Sequence, residues 1–238
     1  MTASCEWVDV GSGLKAYYGK PAGAGPHPCL VVYIEAFGVN EHFKKLTQRL
    51  ADEGFATITP DIYGGDTYSY EDLGNAIGKL KTMNDDVVMK QTEQCLDWLS
   101  HQSEADEQRS GVTGFCMGGR FTFLANAQLA GKFKGASSFY GGGIGPIEDG
   151  AGRKVLLDRV AEMGAPILFW YGSDDESIQP DELGRIAQTM AEHKKQYTIT
   201  CFPNVGHGFF CEDRGSYDEN AAEEAFEKTV AFFRKQLA

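Results

Sequence analysis

The feature that most constrains the fold is a repeated alternation between strand-like and helix-like patterns along the chain. The first clear strand pattern is PCLVVYIE, Pro28–Glu35, a nearly continuous apolar run typical of strands buried on both faces of a parallel sheet. An amphipathic pattern follows in EHFKKLTQRLADEG, where Phe43, Leu46 and Leu50 fall on one helical stripe and Gly54 marks the stop. A strand followed at once by a helix is the repeating unit of a parallel α/β sheet.

The same alternation continues along the chain without a linker, an internal repeat or a low-complexity stretch. Further strands are predicted in FATITPD, SGVTGFC, KGASSFYGG, APILFWYGS and YTITCFP, and further helices in DDVVMKQTEQCLDWLS, GRFTFLANAQLA, KVLLDRVAEM, PDELGRIAQTMAEHKK and AAEEAFEKTVAFFRKQL. CEWVDV and LKAYYGK flank a GSG turn and predict a hairpin. The least regular segment, Tyr63–Asn84, is expected to form surface loops or a small cap near the ligand crevice. We therefore expect one α/β domain over residues 1–238, with a mostly parallel central sheet and helices on both faces.

The charge and the cysteine content argue against several classes of protein. Of the 238 residues, 42% are hydrophobic, which is enough for a well-buried core, but no apolar run reaches the length of a membrane span. The start, MTASCEWVDV, has neither the basic nor the apolar region of a signal peptide. The net charge of −12 argues against nucleic acid and anionic membrane surfaces as partners, because both would be repelled. The six cysteines form no CxxC pair and no zinc-ligand spacing with histidine, so we expect reduced thiols, no metal and a cytoplasmic protein. We also expect a monomer or weak homodimer.

One cysteine lies among glycines in TGFCMGGR, directly after a predicted strand and before a predicted helix. Cys116 has glycines two residues before it and two after, which is the spacing of the G-x-S-x-G nucleophile elbow with cysteine in place of serine. A nucleophile on such a turn has a strained backbone, and small neighbours let the strand and the helix pass closely. The helix N-terminus favours a thiolate and offers N–H groups to an oxyanion. The motif alone leaves a buried structural cysteine as an equal alternative, whereas a phosphate-binding loop is disfavoured because G-x-G-x-x-G and a Walker lysine are absent.

Two further candidate groups follow predicted strands. Asp174 and Asp175 come just after APILFW, where a carboxylate could orient a histidine and stabilise its imidazolium, and where a solvated loop carboxylate is also common. His207 follows YTITCFP and is flanked by Gly206 and Gly208, so its loop can approach another backbone. The other histidines lie before a strand or near helix ends, where exposed or capping roles are expected: His27, His42, His101 and His193.

Cysteine, aspartate and histidine occur in the chain order of the α/β-hydrolase triad, which is nucleophile, acid and base. Each is expected at the carboxyl end of a strand, where open α/β sheets bind ligands, and the conjunction predicts a hydrolytic site more strongly than any one group alone. Glu35 ends an apolar run, either as a strand-end carboxylate that reaches water or as a second carboxylate that tunes the thiol or accepts its proton. The loop after Glu35 is where this fold draws its second oxyanion N–H, which points to Ala36 alongside Met117.

These pieces together resemble the dienelactone hydrolase family. The matching stretches are VVYIEAFGVN, FATITPDIYGG, GFCMGGR, SFYGGG, YGSDD and VGHGFF, which are spread over nearly the whole chain. The resemblance implies an α/β-hydrolase fold, a Cys-His-Asp triad and no cofactor. It implies Cys116 as nucleophile, His207 as base and then acid, and Glu35 as the carboxylate that communicates with the thiol. The G-x-x-D spacing of YGSDD selects Asp175 over Asp174.

The family resemblance also carries an expectation about substrate. The type reaction opens an unsaturated lactone with a carboxylate, 4-carboxymethylenebut-2-en-4-olide, to maleylacetate, and the type enzymes hold that carboxylate with arginines. Here Cys211 stands four residues past His207 and the nearest arginine is Arg214, while the loop region before the nucleophile carries lysines and no arginine. Lysine supplies charge but no bidentate fork, so these departures concern the substrate more than the reaction.

The predicted function is hydrolysis of a small lactone or ester through an acyl-enzyme on Cys116. Phe37, Tyr140 and Phe209 are expected to form walls because they neighbour the catalytic positions, and Arg214 is expected to contact a substrate carboxylate. An esterase or thioesterase acting on another small acyl substrate is the main alternative, although a coenzyme A thioester would need a basic phosphate site that this acidic sequence does not display. A non-catalytic binding protein on the same fold is disfavoured because the whole triad is present.

Overall fold

Strands and helices alternate along the chain in the computed structural model, which describes residues 2–147 and 152–238. The strands are β1 (Ser4–Gly11), β2 (Leu14–Lys20), β3 (His27–Tyr33), β4 (Ala56–Pro60), β5 (Ala105–Phe115), β6 (Gly135–Phe139), β7 (Ile167–Gly172) and β8 (Tyr197–Phe202). The helices are α1 (Glu41–Asp52), α2 (Leu73–Leu80), α3 (Asp85–Ser100), α4 (Met117–Gln128), α5 (Pro180–Glu192) and α6 (Glu219–Gln236). A short 3₁₀-helix spans Leu157–Glu162.

The described strands form one eight-stranded sheet in the order β1-β2-β4-β3-β5-β6-β7-β8. β2 pairs antiparallel with both β1 and β4, and the other neighbouring pairs are parallel. The predicted α/β architecture with a mostly parallel central sheet is therefore confirmed. Because parallel strands end at the same edge of a sheet, the residues that follow β3, β5, β7 and β8 are brought close together.

Local sequence accounts for the helix starts and for the buried centre of the sheet. Asn40 caps α1 and Asn84 caps α3, each through a side-chain oxygen that accepts a backbone N–H hydrogen bond, at 3.3 and 3.1 Å. Pro180 opens α5, at a position where its missing N–H leaves no intrahelical bond unmade. Cys29–Tyr33 of β3 are fully buried, as their apolar run predicts. None of the helices in the described part of the chain has the length and apolarity needed to cross a bilayer.

Some element boundaries differ from those that the sequence predicts. β3 ends at Tyr33, so Glu35 lies two residues beyond the strand instead of closing it. β5 begins at Ala105, well before its predicted start, because its first residues pair with the start of β3. The segment predicted as loops or a small cap contains α2 as well as loops. The segment KVLLDRVAEM forms a 3₁₀-helix and not an α-helix, the geometry that short helical pieces often take.

The turn between β5 and α4 brings backbone segments into close contact. A Cβ atom at Gly118 would lie 2.5 Å from Tyr33 O and 2.7 Å from Ile34 O. A Cβ atom at Gly114 would collide with the carbonyl oxygen of Gly118. The glycines on either side of Cys116 therefore let α4 start directly against the ends of β3 and β5, which is the steric role that their spacing predicts.

Gly118→Ala should destabilise the protein by about 1–3 kcal/mol, because the added methyl group meets backbone atoms that cannot rotate away. Urea unfolding followed by circular dichroism measures this change in the free energy of unfolding. Gly184→Ala is the matched control, since Gly184 is an exposed glycine of α5 whose Cβ would meet nothing within 4 Å. The control should be neutral or stabilising by about 0.4–1 kcal/mol. A Gly118→Ala protein as stable as the wild type would contradict the close-contact explanation.

Candidate active site

Cys116 lies on the sharp turn between β5 and α4. Its backbone has φ of 55° and ψ of −117°, and a non-glycine residue adopts such a conformation at a cost of roughly 1–3 kcal/mol. Hydrogen bonds hold the turn, from Cys116 N to Phe139 O at 2.9 Å and from Gly119 N to Cys116 O at 2.9 Å. The Cys116 side chain is partly exposed, whereas Cys29 and Cys95 are buried in the core. A strained and accessible cysteine at a helix N-terminus is the arrangement expected of a nucleophile.

Asp175 and His207 lie beyond the ends of β7 and β8 and form a hydrogen-bonded pair. His207 Nδ1 and Asp175 Oδ2 are 2.7 Å apart. The other carboxylate oxygen of Asp175 accepts hydrogen bonds from Ser177 N at 2.8 Å and from Ile178 N at 3.2 Å, so this buried carboxylate has a fixed orientation. Asp174 is exposed. Of the two neighbouring aspartates, Asp175 is therefore the one that contacts the histidine.

The surroundings of His207 favour its protonated form. Burial by itself lowers the pKa of His207, but the negative charge of a Cys116 thiolate and the hydrogen bonds to Asp175 and Cys116 outweigh burial and raise the pKa from 6.5 to about 10. The imidazole is consequently protonated at neutral pH and loses its proton as the pH rises through about 10. An imidazolium at this position is a proton donor that lies at the same cavity as Cys116.

The carboxylate of Glu35 is fully buried and contacts two side chains of the site. Tyr140 Oη donates a hydrogen bond to Glu35 Oε1 at 2.8 Å, and Arg214 Nη1 donates one to Oε2 at 3.4 Å. The Tyr140 ring lies edge-on to the ring of His207, with centroids 5.1 Å apart. Burial and the Glu35 charge hold the pKa of Tyr140 well above its ordinary value, so the phenol keeps its proton and remains a donor. A strand-end carboxylate that reaches water, one of the two roles considered for Glu35, is excluded by this burial.

A cavity of about 570 Å³ opens over Cys116 and His207. Ala36 and Met117, the residues predicted to supply oxyanion N–H groups, both line this cavity. Met117 is the first residue of α4, and N–H groups in the first turn of a helix have no partner within the helix. Within residues 2–147 and 152–238, no cluster of three His, Cys, Asp or Glu side chains is arranged to hold a metal ion.

Two of the four residues predicted to contact substrate, Phe37 and Arg214, line the cavity. The Arg214 guanidinium lies 5.6 Å from the Phe37 ring centroid. The structure places the other two, Tyr140 and Phe209, beneath the lining. Both are fully buried and pack against each other, with ring centroids 5.2 Å apart. Their expected wall role is corrected accordingly, because adjacency to a catalytic residue in sequence does not decide which way a side chain points. Tyr140 instead holds the Glu35 carboxylate.

Sequence reasoning missed most of the apolar side chains that line the cavity. The lining includes Leu73, Ile77 and Leu80 of α2, Pro146–Ile147 after β6 and Ile178 before α5. The three α2 residues are spaced as i, i+4 and i+7, so they share one helical face. That periodicity in LGNAIGKL is the signal that could have revealed both the helix and its apolar side.

The loop after β6 is held by two charged residues that sequence reasoning also missed. Arg120 of α4 is fully buried, and its Nε donates to Gly143 O at 3.3 Å. Glu182 of α5 accepts hydrogen bonds from the N–H groups of Ile144–Gly145 at 2.9 and 3.0 Å. Burial raises the pKa of Glu182, against the effect of these N–H donors. Side chains from two helices thereby fix the loop that carries Pro146–Ile147 into the cavity wall.

His42 is buried, although an exposed or capping role is expected from its position at the start of α1. Its ring packs against Phe43 and Phe210, with centroid separations of 5.2 and 6.1 Å. Burial lowers the pKa of His42. The first turn of α1 packs against the loop after β8, and the aromatic rings of that contact cover the imidazole.

Comparison with known proteins gives matches that cover nearly the whole chain. Residues 14–237 match the sequence model of the Dienelactone hydrolase family. A protein of Escherichia coli (strain K12) named "Putative carboxymethylenebutenolidase" is 31% identical over 229 residues, which cover 94% of this chain and 83% of that protein. A Bradyrhizobium protein named "Probable 2-oxo-3-(5-oxofuran-2-ylidene)propanoate lactonase" is 29% identical, with 99% of this chain and 96% of that protein covered.

A crystal structure described as a "Putative Dienelactone Hydrolase" from Klebsiella pneumoniae superposes on this chain with a TM-score of 0.91. The two chains are 29% identical, and the alignment covers 99% of this chain and 100% of the other. The superposition therefore includes the sheet and the strand ends at which Cys116, Asp175 and His207 lie.

Removal of the thiol should lower the pKa of His207. In Cys116→Ala the negative charge that opposes loss of the imidazolium proton is absent, whereas the hydrogen bond to Asp175 remains. NMR titration of the ring nitrogens should give a pKa of about 10 in the wild type and a lower value in the variant. Cys201→Ala, which removes an exposed thiol, is the control and should leave the titration unchanged. A value near 10 in Cys116→Ala would show that the thiolate is not the cause.

Proposed function

The chain belongs to the dienelactone hydrolase family, with the α/β-hydrolase fold and hydrolase activity on carboxylic ester bonds, and from this premise we propose that it cleaves small lactones or esters through an acyl-enzyme on Cys116. The observation that carries the proposal is that Cys116 on its strained turn and the His207–Asp175 pair meet at one cavity. A thiol, an imidazole and a fixed carboxylate are the components of a nucleophilic acyl-transfer site. The names of the E. coli and Bradyrhizobium relatives, both lactone hydrolases, support the same reaction class.

In the acylation step, the thiolate sulfur of Cys116 attacks the carbonyl carbon and forms a C–S bond while the carbonyl oxygen takes the negative charge. The N–H groups of Ala36 and Met117 donate hydrogen bonds to this oxyanion, and the N-terminus of α4 adds a favourable dipole. The oxyanion then reforms the carbonyl and the C–O bond to the leaving group breaks. His207, whose Nδ1 is bound to Asp175, gives a proton from Nε2 to the leaving alkoxide.

In the deacylation step, the neutral imidazole of His207 takes a proton from water as the water oxygen attacks the thioester carbon. Asp175 stabilises the imidazolium that forms and keeps the ring in the correct tautomer. The C–S bond breaks, the carboxylic acid leaves and the thiolate–imidazolium pair is restored. A lactone gives a single hydroxy-acid product, whereas an ester gives an acid and an alcohol.

Glu35, Phe37 and Arg214 have supporting roles in this proposal. Glu35 adds a buried negative charge near the nucleophile and is held by Tyr140 and Arg214. Through these contacts it tunes the electrostatic environment of the thiol. Arg214 lines the cavity and lies beside the Phe37 ring, so it is placed to contact a carboxylate on a substrate.

Cys116→Ala should lower kcat for p-nitrophenyl acetate by about 10⁴-fold or more, because the variant lacks the sulfur that forms the acyl-enzyme bond. With p-nitrophenyl pivalate, which deacylates slowly, intact-mass spectrometry of the quenched wild type should show one added acyl group that the variant lacks. Cys201→Ala keeps the nucleophile and should retain full activity. Full turnover by Cys116→Ala, or acylation at another residue, would refute the assignment of the nucleophile.

Asp175→Asn should lower kcat/KM by roughly 10²–10⁴-fold, because an amide neither stabilises the imidazolium nor selects the correct histidine tautomer. Asp174→Asn makes the same change in charge at the exposed neighbouring position and should leave kcat/KM within about twofold of the wild type. Ester hydrolysis measures both, with circular dichroism as the check on folding. Equal losses in the two variants would mean that this loop acts only through its charge.

A further inference from the structure

We infer that the substrate of this site is an ester or lactone that bears an apolar substituent, and that this substituent lies against one face of the cavity. The inference rests on the proposed function, because it assigns a substrate class to the Cys116 site. The face concerned, termed the apolar wall below, consists of Leu73, Ile77, Leu80, Pro146, Ile147 and Ile178.

The size of the cavity exceeds what a bare lactone ring needs. Its volume of about 570 Å³ lies within the roughly 300–1,000 Å³ of pockets that hold drug-sized ligands. Hydrolysis of the ester group engages only the end of the cavity with Cys116 and His207. A small unsubstituted lactone bound there would leave the apolar wall in contact with water, so the wall would contribute nothing to its binding.

The exposure of the apolar wall points to an apolar occupant. Ile147 is 79% exposed and Leu73 is 52% exposed, and these are the two most exposed large hydrophobic side chains in the described part of the chain. Both line the cavity of the candidate active site. Exposed apolar side chains concentrated at a concave site mark a ligand-binding surface, and an apolar substituent would remove them from water.

Contacts to the loops of the active site hold the α2 part of the apolar wall in place. Tyr68 N donates a hydrogen bond to Phe37 O at 3.1 Å. Tyr70 Oη accepts a hydrogen bond from Asn40 Nδ2 at 3.0 Å and lies 3.0 Å from Cys211 Sγ. The segment that carries α2 is therefore held both by the loop after β3 and by the loop after β8. A wall formed before the substrate arrives loses less conformational entropy on binding.

Two of the charged side chains that line the cavity, Glu182 and Arg185, hold the loop after β6. Glu182 accepts hydrogen bonds from the N–H groups of Ile144–Gly145. Arg185 Nε donates to Gly145 O at 2.6 Å, and its Nη1 lies 2.7 Å from Asp181 Oδ2. These groups stabilise the loop after β6, so this side of the cavity favours an apolar substituent while the polar ester group lies at the nucleophile.

Two series of esters test the inference on the wild-type protein. In the first, the acyl chain of a p-nitrophenyl ester lengthens from acetate to octanoate. In the second, the alcohol of a butanoate ester lengthens from methyl to octyl. Each kcat/KM is divided by the hydroxide-catalysed rate constant of the same ester, which removes intrinsic reactivity. We expect this ratio to rise about tenfold or more along at least one series, mainly through KM.

The outcomes of the series separate the inference from the proposed function. If the short esters are hydrolysed in a Cys116-dependent way but the normalised kcat/KM does not rise along either series, the inference is overturned and the proposed function stands. Absence of Cys116-dependent hydrolysis for every ester would overturn the proposed function and the inference with it.

Two variants then locate the effect at the apolar wall. Leu73→Ser and Ile147→Ser change exposed side chains, and each should lower the ratio of long-ester to short-ester kcat/KM about threefold to tenfold. Val87→Ser is the matched control, since Val87 is 51% exposed on α3 and does not line the cavity. The inference would be overturned if both wall variants left the ratio of long-ester to short-ester kcat/KM unchanged. It would also be overturned if Val87→Ser lowered that ratio equally.

Discussion

The positive φ of Cys116 is the constraint on which the rest of the site depends. A cysteine keeps such a backbone only where contacts with its neighbours offset the strain. Here Phe139 O accepts a hydrogen bond from Cys116 N at 2.9 Å, and Gly118 lets α4 start against Tyr33. These contacts join the ends of β3, β5 and β6. Residues just beyond those ends must then lie near the thiol, and they include Glu35–Phe37. The strained turn at Cys116 and the position of the loop after β3 are in this way consequences of one packing arrangement.

Two charge pairs connect separate loops around the nucleophile. The His207–Asp175 pair joins the loops after β8 and β7, and the Glu35–Arg214 pair joins the loops after β3 and β8. An unpaired buried charge costs several kcal/mol, so each buried carboxylate requires its partner from the other loop. The loop after β8 takes part in both pairs. It therefore carries both His207, which contacts Asp175, and Arg214, which contacts Glu35.

The sequence predicts those parts of the site that depend on topology. Cys116, Asp175 and His207 each follow a predicted strand, and parallel strands carry whatever follows them to one edge of the sheet. Side-chain direction is a different matter, because it depends on local backbone angles and distant packing. Tyr140 has a φ of 37°, which strand periodicity does not anticipate, and its phenol points to Glu35 instead of the cavity. The periodicity of α2 reveals its apolar face but not where that face lies, since the contact that holds α2 joins residues 141 positions apart in the chain.

In the proposed function, the reaction and the choice of substrate are set by different parts of the chain. Strand pairing within the sheet positions Cys116, Asp175 and His207, so a change there would alter the fold itself. Within the described residues, α2 and the loop after β6 form no strand pairing and are held by side chains such as Tyr70, Arg120 and Glu182. Their lining residues can therefore vary without moving Cys116, Asp175 or His207. Since Leu73 and Ile147 lie on these two segments, the apolar character of this cavity is a property of the connections, and the chemistry is a property of the sheet.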